Sequence, residues 1–185
     1  MEKYQDLKPN VKKMYIAELG VAICTLVMLI PIVGTILGGI GVIVFGILNL
    51  IALYGAGKTV EGCKMAFIFS IANLVIGLLT RVPVLGKVLA LVGIVLGFLV
   101  VQNVCSALSE VMKDLGSNGT AEDGDKVVKI YLVCSAASLV ITILSWIKIF
   151  SGIAVVLNIV LAVVEVVAIF MFVSFLKKCS DALGA

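Results

Sequence analysis

Residues 33–54 read VGTILGGIGVIVFGILNLIALY and carry no charged side chain. At 1.5 Å per residue, a helix of this length matches the roughly 30 Å hydrocarbon core of a bilayer. Working outward, five more apolar stretches lie near 14–31, 65–80, 84–106, 130–147 and 149–176. They come in pairs. Short links, Ile30-Pro31-Ile32-Val33-Gly34, Arg81-Val82-Pro83-Val84-Leu85-Gly86 and Trp146-Ile147-Lys148, join partners, and Pro and Gly suit a sharp stop and restart. The expected fold is an all-α polytopic membrane bundle of six transmembrane helices in three hairpins, at 14–54, 65–106 and 130–176. Between and around them lie an N-terminal segment (1–13), loops at 55–64 and 107–129, and a tail at 177–185.

Composition agrees. Of the 185 residues, 62% are apolar and 14% charged, against about 45–50% apolar (glycine included) and 25% charged in soluble domains. A water-soluble globule of this size has too little interior for so much apolar surface. This excludes a soluble enzyme, a disordered chain and a nucleic-acid-binding domain. The chain has no histidine, and its five cysteines (Cys24, Cys63, Cys105, Cys134 and Cys179) form no C-x-x-C pair. Neither a metal site, a cofactor nor a disulfide framework is expected, and the thiols read as small apolar side chains. No phosphate-binding loop, nucleophile elbow or zinc-protease motif is present, so no catalytic residue is assigned and the chain is read as a non-enzyme.

The hairpins resemble one another. A shift of 52 residues carries Pro31 onto Pro83, Gly34 onto Gly86 and Gly41 onto Gly93, and lysines 12, 64 and 129 open the odd helices. The longer third repeat places its extra residues in Gly116-Ser117-Asn118-Gly119-Thr120-Ala121-Glu122-Asp123-Gly124-Asp125, which reads as a mobile surface linker. Gly34-x-x-x-Gly38 and Gly93-x-x-x-Gly97 have the spacing that lets helices approach closely.

Basic residues set the expected orientation. Eleven of the 14 lysines and arginines lie on the side of the termini and long loops, and only Arg81, Lys87 and Lys148 lie on the other. Both termini are therefore expected in the cytoplasm, with the bundle in the bacterial inner (plasma) membrane. Tyr4, Tyr15, Tyr54 and Tyr131 read as interfacial aromatics of the cytoplasmic face.

Polar side chains inside a membrane are costly and therefore candidate functional groups. They are Glu18, Asn49, Ser70, Asn73, Gln102, Asn103, Ser135, Ser138, Asn158 and Glu165. Glu165 lies 12 residues before Lys177, about 18 Å at helical rise and thus near mid-membrane. Glu18 is close enough to the interface to pair with Lys12 or Lys13. The repeat puts a polar group in every helix; the Asn, Gln and Ser members read either as hydrogen-bonding glue between helices or, where all point inward together, as a cluster or vestibule opening to the cytoplasm, able to take a proton, a cation or a cationic substrate.

Leu29-Ile30-Pro31-Ile32-Val33-Gly34, the glycines 41 and 46, Leu53-Tyr54, Lys58 and Lys64-Met65-Ala66-Phe67 resemble uncharacterised multi-pass membrane families of Gram-positive bacteria and archaea. Three hairpins in under 200 residues also resemble the HdeD-type acid-resistance membrane proteins. Neither resemblance implies catalytic residues. The functional expectation is a transporter, channel or membrane subunit working around Glu165. The alternatives are an accessory, assembly or immunity protein acting through a partner, and a stress-related membrane protein without a pore. Expected partners are membrane lipids, with a second copy of the chain or a membrane or cytoplasmic protein as the remaining candidates, and no nucleic acid.

Overall fold

Apolar residues at spacings of three and four recur well beyond the predicted spans, and each such run is helical. A computed structural model describes residues 4–28, 30, 32–80 and 86–184. The helices are α1 (Leu7–Val27), α2 (Val33–Ala56), α3 (Glu61–Leu79), α4 (Gly86–Asp114), α5 (Asn118–Ser145) and α6 (Ser151–Ala182), with a 3-10 turn at Lys148–Phe150. The tight-turn residues Pro31 and Arg81 to Leu85 lie outside the described residues. Each helix packs on the next in sequence, and α1 packs on α6, which closes the six into a ring. The chain is an all-α membrane bundle.

Among the described residues, five helices, α2 to α6, are long and apolar enough to cross a membrane. The first helix starts earlier than expected, at Leu7. The segment expected as a polar N-terminal stretch is an amphipathic helical turn: Leu7, Val11 and Met14 are buried, while Lys8, Lys12 and Lys13 are exposed. Pro9 is tolerated there because the amides of the first helical turn have no intrahelical partner anyway.

The expected mobile linker is also corrected. α4 continues to Asp114 and α5 starts at Asn118, leaving a three-residue turn. Gly116 makes that turn with φ +74°, a left-handed conformation that disfavours other residues. Its amide donates to the Lys113 carbonyl (2.9 Å), and the Ser117 amide donates to the Met112 carbonyl (2.8 Å), the paired bonds of a Schellman helix stop. The acidic residues are the wet face of a helix. Ala121, Gly124 and Val127 are buried beneath exposed Glu122, Asp125 and Lys126. Asp123 pairs with Lys178 of α6 at 2.6 Å and with Lys126 at 3.1 Å, and these ammonium groups hold its carboxyl below the ordinary carboxylate range. The 55–64 loop is likewise short, because α2 runs to Ala56 and α3 starts at Glu61.

The main core lies at the end of the bundle that holds both termini. All six helices contribute to it: Leu7, Leu53, Cys63, Leu108, Ala121 and Phe175 are each at most 1% exposed. Four of the five free thiols, Cys63, Cys105, Cys134 and Cys179, are buried as small apolar groups. Toward the tight turns, the first two hairpins pack closely on themselves. Cβ atoms at Gly34, Gly38 and Gly41 would strike Val27 or Cys24 of α1 or Met28 just past its end, and Gly93 and Gly97 lie against Asn73 of α3. Both small-residue spacings therefore serve close packing inside hairpins. Apolar side chains such as Ile36, Ile43, Leu78, Val133 and Val163 point outward over that half, as a lipid-facing belt requires.

Candidate functional site

The site grows out of the seams along which the helices meet. On α6, Leu161, Ala168, Phe172, Phe175 and Cys179 are buried, and Glu165 occupies the step between the first two of them. On α5, Val127, Cys134 and Ile141 are buried, with Tyr131 and Ser138 in the intervening steps. On α1, Glu18 follows Leu7, Val11 and Met14 at the same spacing. Residues four or three apart stack on one helix face, so these polar groups face the interior, one or two turns beyond the apolar core.

Two hydrogen-bonded pairs result. Ser138 Oγ of α5 donates to Glu165 Oε1 at 3.1 Å. Asn49 Nδ2 of α2 donates to Glu18 Oε1 at 2.6 Å. The expected pairing of Glu18 with Lys12 or Lys13 is replaced by this bond, because both lysines lie on the exposed side of α1.

Glu165, Ser138, Ser135, Tyr131, Phe98 and Gly97 line a cleft of about 290 Å³ between α4, α5 and α6. A second cleft, of about 520 Å³ between α2 and α3, brings together Asn49, Ser70 and Asn73. The polar groups thus divide between two clefts instead of meeting in one cluster. Asn73 links them: its amide packs over Gly93, a residue of the first cleft's wall. Three expected members stand apart. Gln102 is half-buried on α4 and belongs to neither lining; Asn103 donates to its own helix at the Leu99 carbonyl, 2.7 Å away; Asn158 is exposed on the α6 seam.

A vestibule opening toward the termini is not what forms. Directly below Glu165 on that side stand Ala168, Phe172 and Phe175, with Cys105, Leu108 and Met112 of α4 beside them, all buried. The apolar core seals the end that was expected to be open. Glu165 itself is exposed.

Tyr131 and Phe98 are missing from the sequence-derived site. Tyr131 was expected at the membrane interface, but it is half-buried and packs edge-on against Phe172, with centroids 6.0 Å apart. Its position midway between Val127 and Cys134 on the buried spacing was the available signal.

The arrangement has clear chemistry. The apolar run of α6 around Glu165, from Gly152 to Leu176, contains no lysine or arginine. A carboxyl group there is stable either as the neutral acid or as an anion with water or a bound cation beside it. Three-centre metal ligation is not provided: among the described residues no group of three or more Cys, Asp or Glu side chains converges. Comparison with protein-family models, curated proteins and solved structures gives no match to this chain.

Proposed function

We propose that this protein is a small membrane transport protein in which Glu165 is the exchangeable cation- or proton-binding group. The observation that carries this reading is the exposed carboxylate on a core-facing seam, held by Ser138 in a cleft whose floor is a packed apolar core. A site sealed from the end that holds the termini fits one state of an alternating-access cycle. Glu18 is a fixed partner in this scheme, since its bond to Asn49 keeps it against α2.

The setting is the bacterial inner membrane with both termini cytoplasmic, on the strength of the basic-residue asymmetry. The hairpins are internal repeats. In support, the Gly41–Cys24 contact of the first and the Gly93–Ile76 contact of the second are related by the same 52-residue shift.

The deciding experiment is proton-coupled cation flux in liposomes containing the full chain. The parent protein is expected to couple the two, and Glu165→Gln to abolish coupling with an unchanged elution profile in detergent. Equal flux in Glu165→Gln overturns the assignment of Glu165. A parent protein that moves nothing and copurifies with a stoichiometric partner places the chain in the accessory class.

A further inference from the structure

Resting on the transport reading above, we propose that the Glu165 cleft takes an organic ammonium cation, recognised by the faces of Phe98 and Tyr131 together with the carboxylate. The cleft's volume, about 290 Å³, is roughly ten times the share of one water molecule in the liquid. It is far larger than a bare ion needs, and falls just under the usual range for small-molecule pockets.

The lining points the same way. An inorganic cation sheds its hydration shell only for six or more oxygen ligands in the calcium case, and for comparable cages otherwise. Here the side-chain oxygens are those of Glu165, Ser135, Ser138 and Tyr131, and the remaining wall is apolar: Ile94, Phe98, Ala168 and Ile169 among others. An alkylammonium ion carries its own apolar groups, which such a wall covers well. Its charge is met by one carboxylate and by aromatic faces, the combination that recognises quaternary ammonium groups. Tyr131 is held for this by its edge-on contact with Phe172.

The test uses tetraethylammonium as the probe, titrated calorimetrically into the purified full-length protein in detergent, beside sodium and potassium chloride. Saturable binding is expected for tetraethylammonium alone. Glu165→Gln is expected to abolish it, and Tyr131→Phe to preserve it. Phe98→Leu is expected to weaken it about three- to tenfold, the range of one cation–aromatic contact. Tyr131→Leu should act similarly; if it fails to fold because it also packs on Phe172, Phe98→Leu and Tyr131→Phe carry the test. Binding unaffected by Phe98→Leu overturns the aromatic assignment. Glu165-dependent proton or inorganic-cation flux without tetraethylammonium binding overturns the ammonium assignment and leaves the transport reading standing. Absence of both flux and binding removes the two together.

Discussion

Two glycines in the former linker region respond oppositely to the same substitution if α5 is a packed helix from its start. A Cβ at Gly124 meets the Ser109 hydroxyl and lies 2.9 Å from the Phe175 ring, whereas a Cβ at Gly119 meets nothing within 4 Å. Ser109 is 2% exposed and its hydroxyl donates to the Ala121 carbonyl at 3.1 Å. Making room at Gly124 breaks that bond inside a closed environment, which costs about 1–3 kcal/mol, and presses on a ring that is 1% exposed. The gain from replacing helical glycine by alanine is about 1 kcal/mol at most. Gly124→Ala is therefore expected to destabilise the bundle by about 1–2 kcal/mol. Gly119→Ala, in the first turn, is expected to be neutral or to stabilise by up to about 1 kcal/mol. Thermal unfolding in detergent, followed by helical circular dichroism for parent and both variants, reads the difference. Equal and neutral effects at the two positions would refute the packed-helix account and restore a mobile linker.

Three further outcomes follow from the same packing. Phe175→Ala empties a fully buried position at the meeting of the helices and should cost about 3–5 kcal/mol in detergent denaturation. Asn49→Leu strands the Glu18 carboxylate that it now bonds at 2.6 Å and should cost about 1–3 kcal/mol. Adding Glu18→Leu should recover much of that loss in a thermal-stability cycle, since an apolar pair needs no donor. Asp123→Asn should cost under about 1 kcal/mol at neutral pH, as exposed ion pairs do. Its lysine partners lower the Asp123 pKa in the folded state, so this stabilisation exists above the ordinary aspartate range. It fades as pH falls through the folded value, where variant and parent should converge in a pH series of melting temperatures.

The residue pattern made the membrane class plain, because long uncharged runs such as 33–54 leave a chain few alternatives to crossing lipid as helices. The three pairings followed from the short links between runs. Helix ends were harder to read, for a physical reason. Outside the lipid a helix needs only a narrow apolar stripe, and Ala107, Leu108, Val111 and Met112 supply one between Glu110, Lys113 and Asp114. Scanning for apolar length passes over such a stripe and reports a loop. The site was legible residue by residue, since Glu165 and Glu18 are conspicuous for their cost in hydrocarbon. Their company was not. Whether Asn49 or Lys12 bonds Glu18 depends on the rotation of α1 against α2, set by the Gly38 and Gly41 contacts with Cys24 and Met28. Tyr131 shows the same limit: one aromatic near a helix end reads as an interface anchor until its neighbours on the buried spacing are weighed.

The central claim is that Glu165 and Ser138 occupy a cleft reached from the tight-turn end and sealed from the end that holds the termini. The most direct measurement is thiol labelling in sealed liposomes of known sidedness, with Ser138→Cys placed in a chain whose five native cysteines are replaced by alanine. A charged, membrane-impermeant thiol reagent is expected to label position 138 when applied at the face of the tight turns, and to leave it unlabelled when applied at the face of the termini. Labelling from the termini face, or from neither face, would contradict the account.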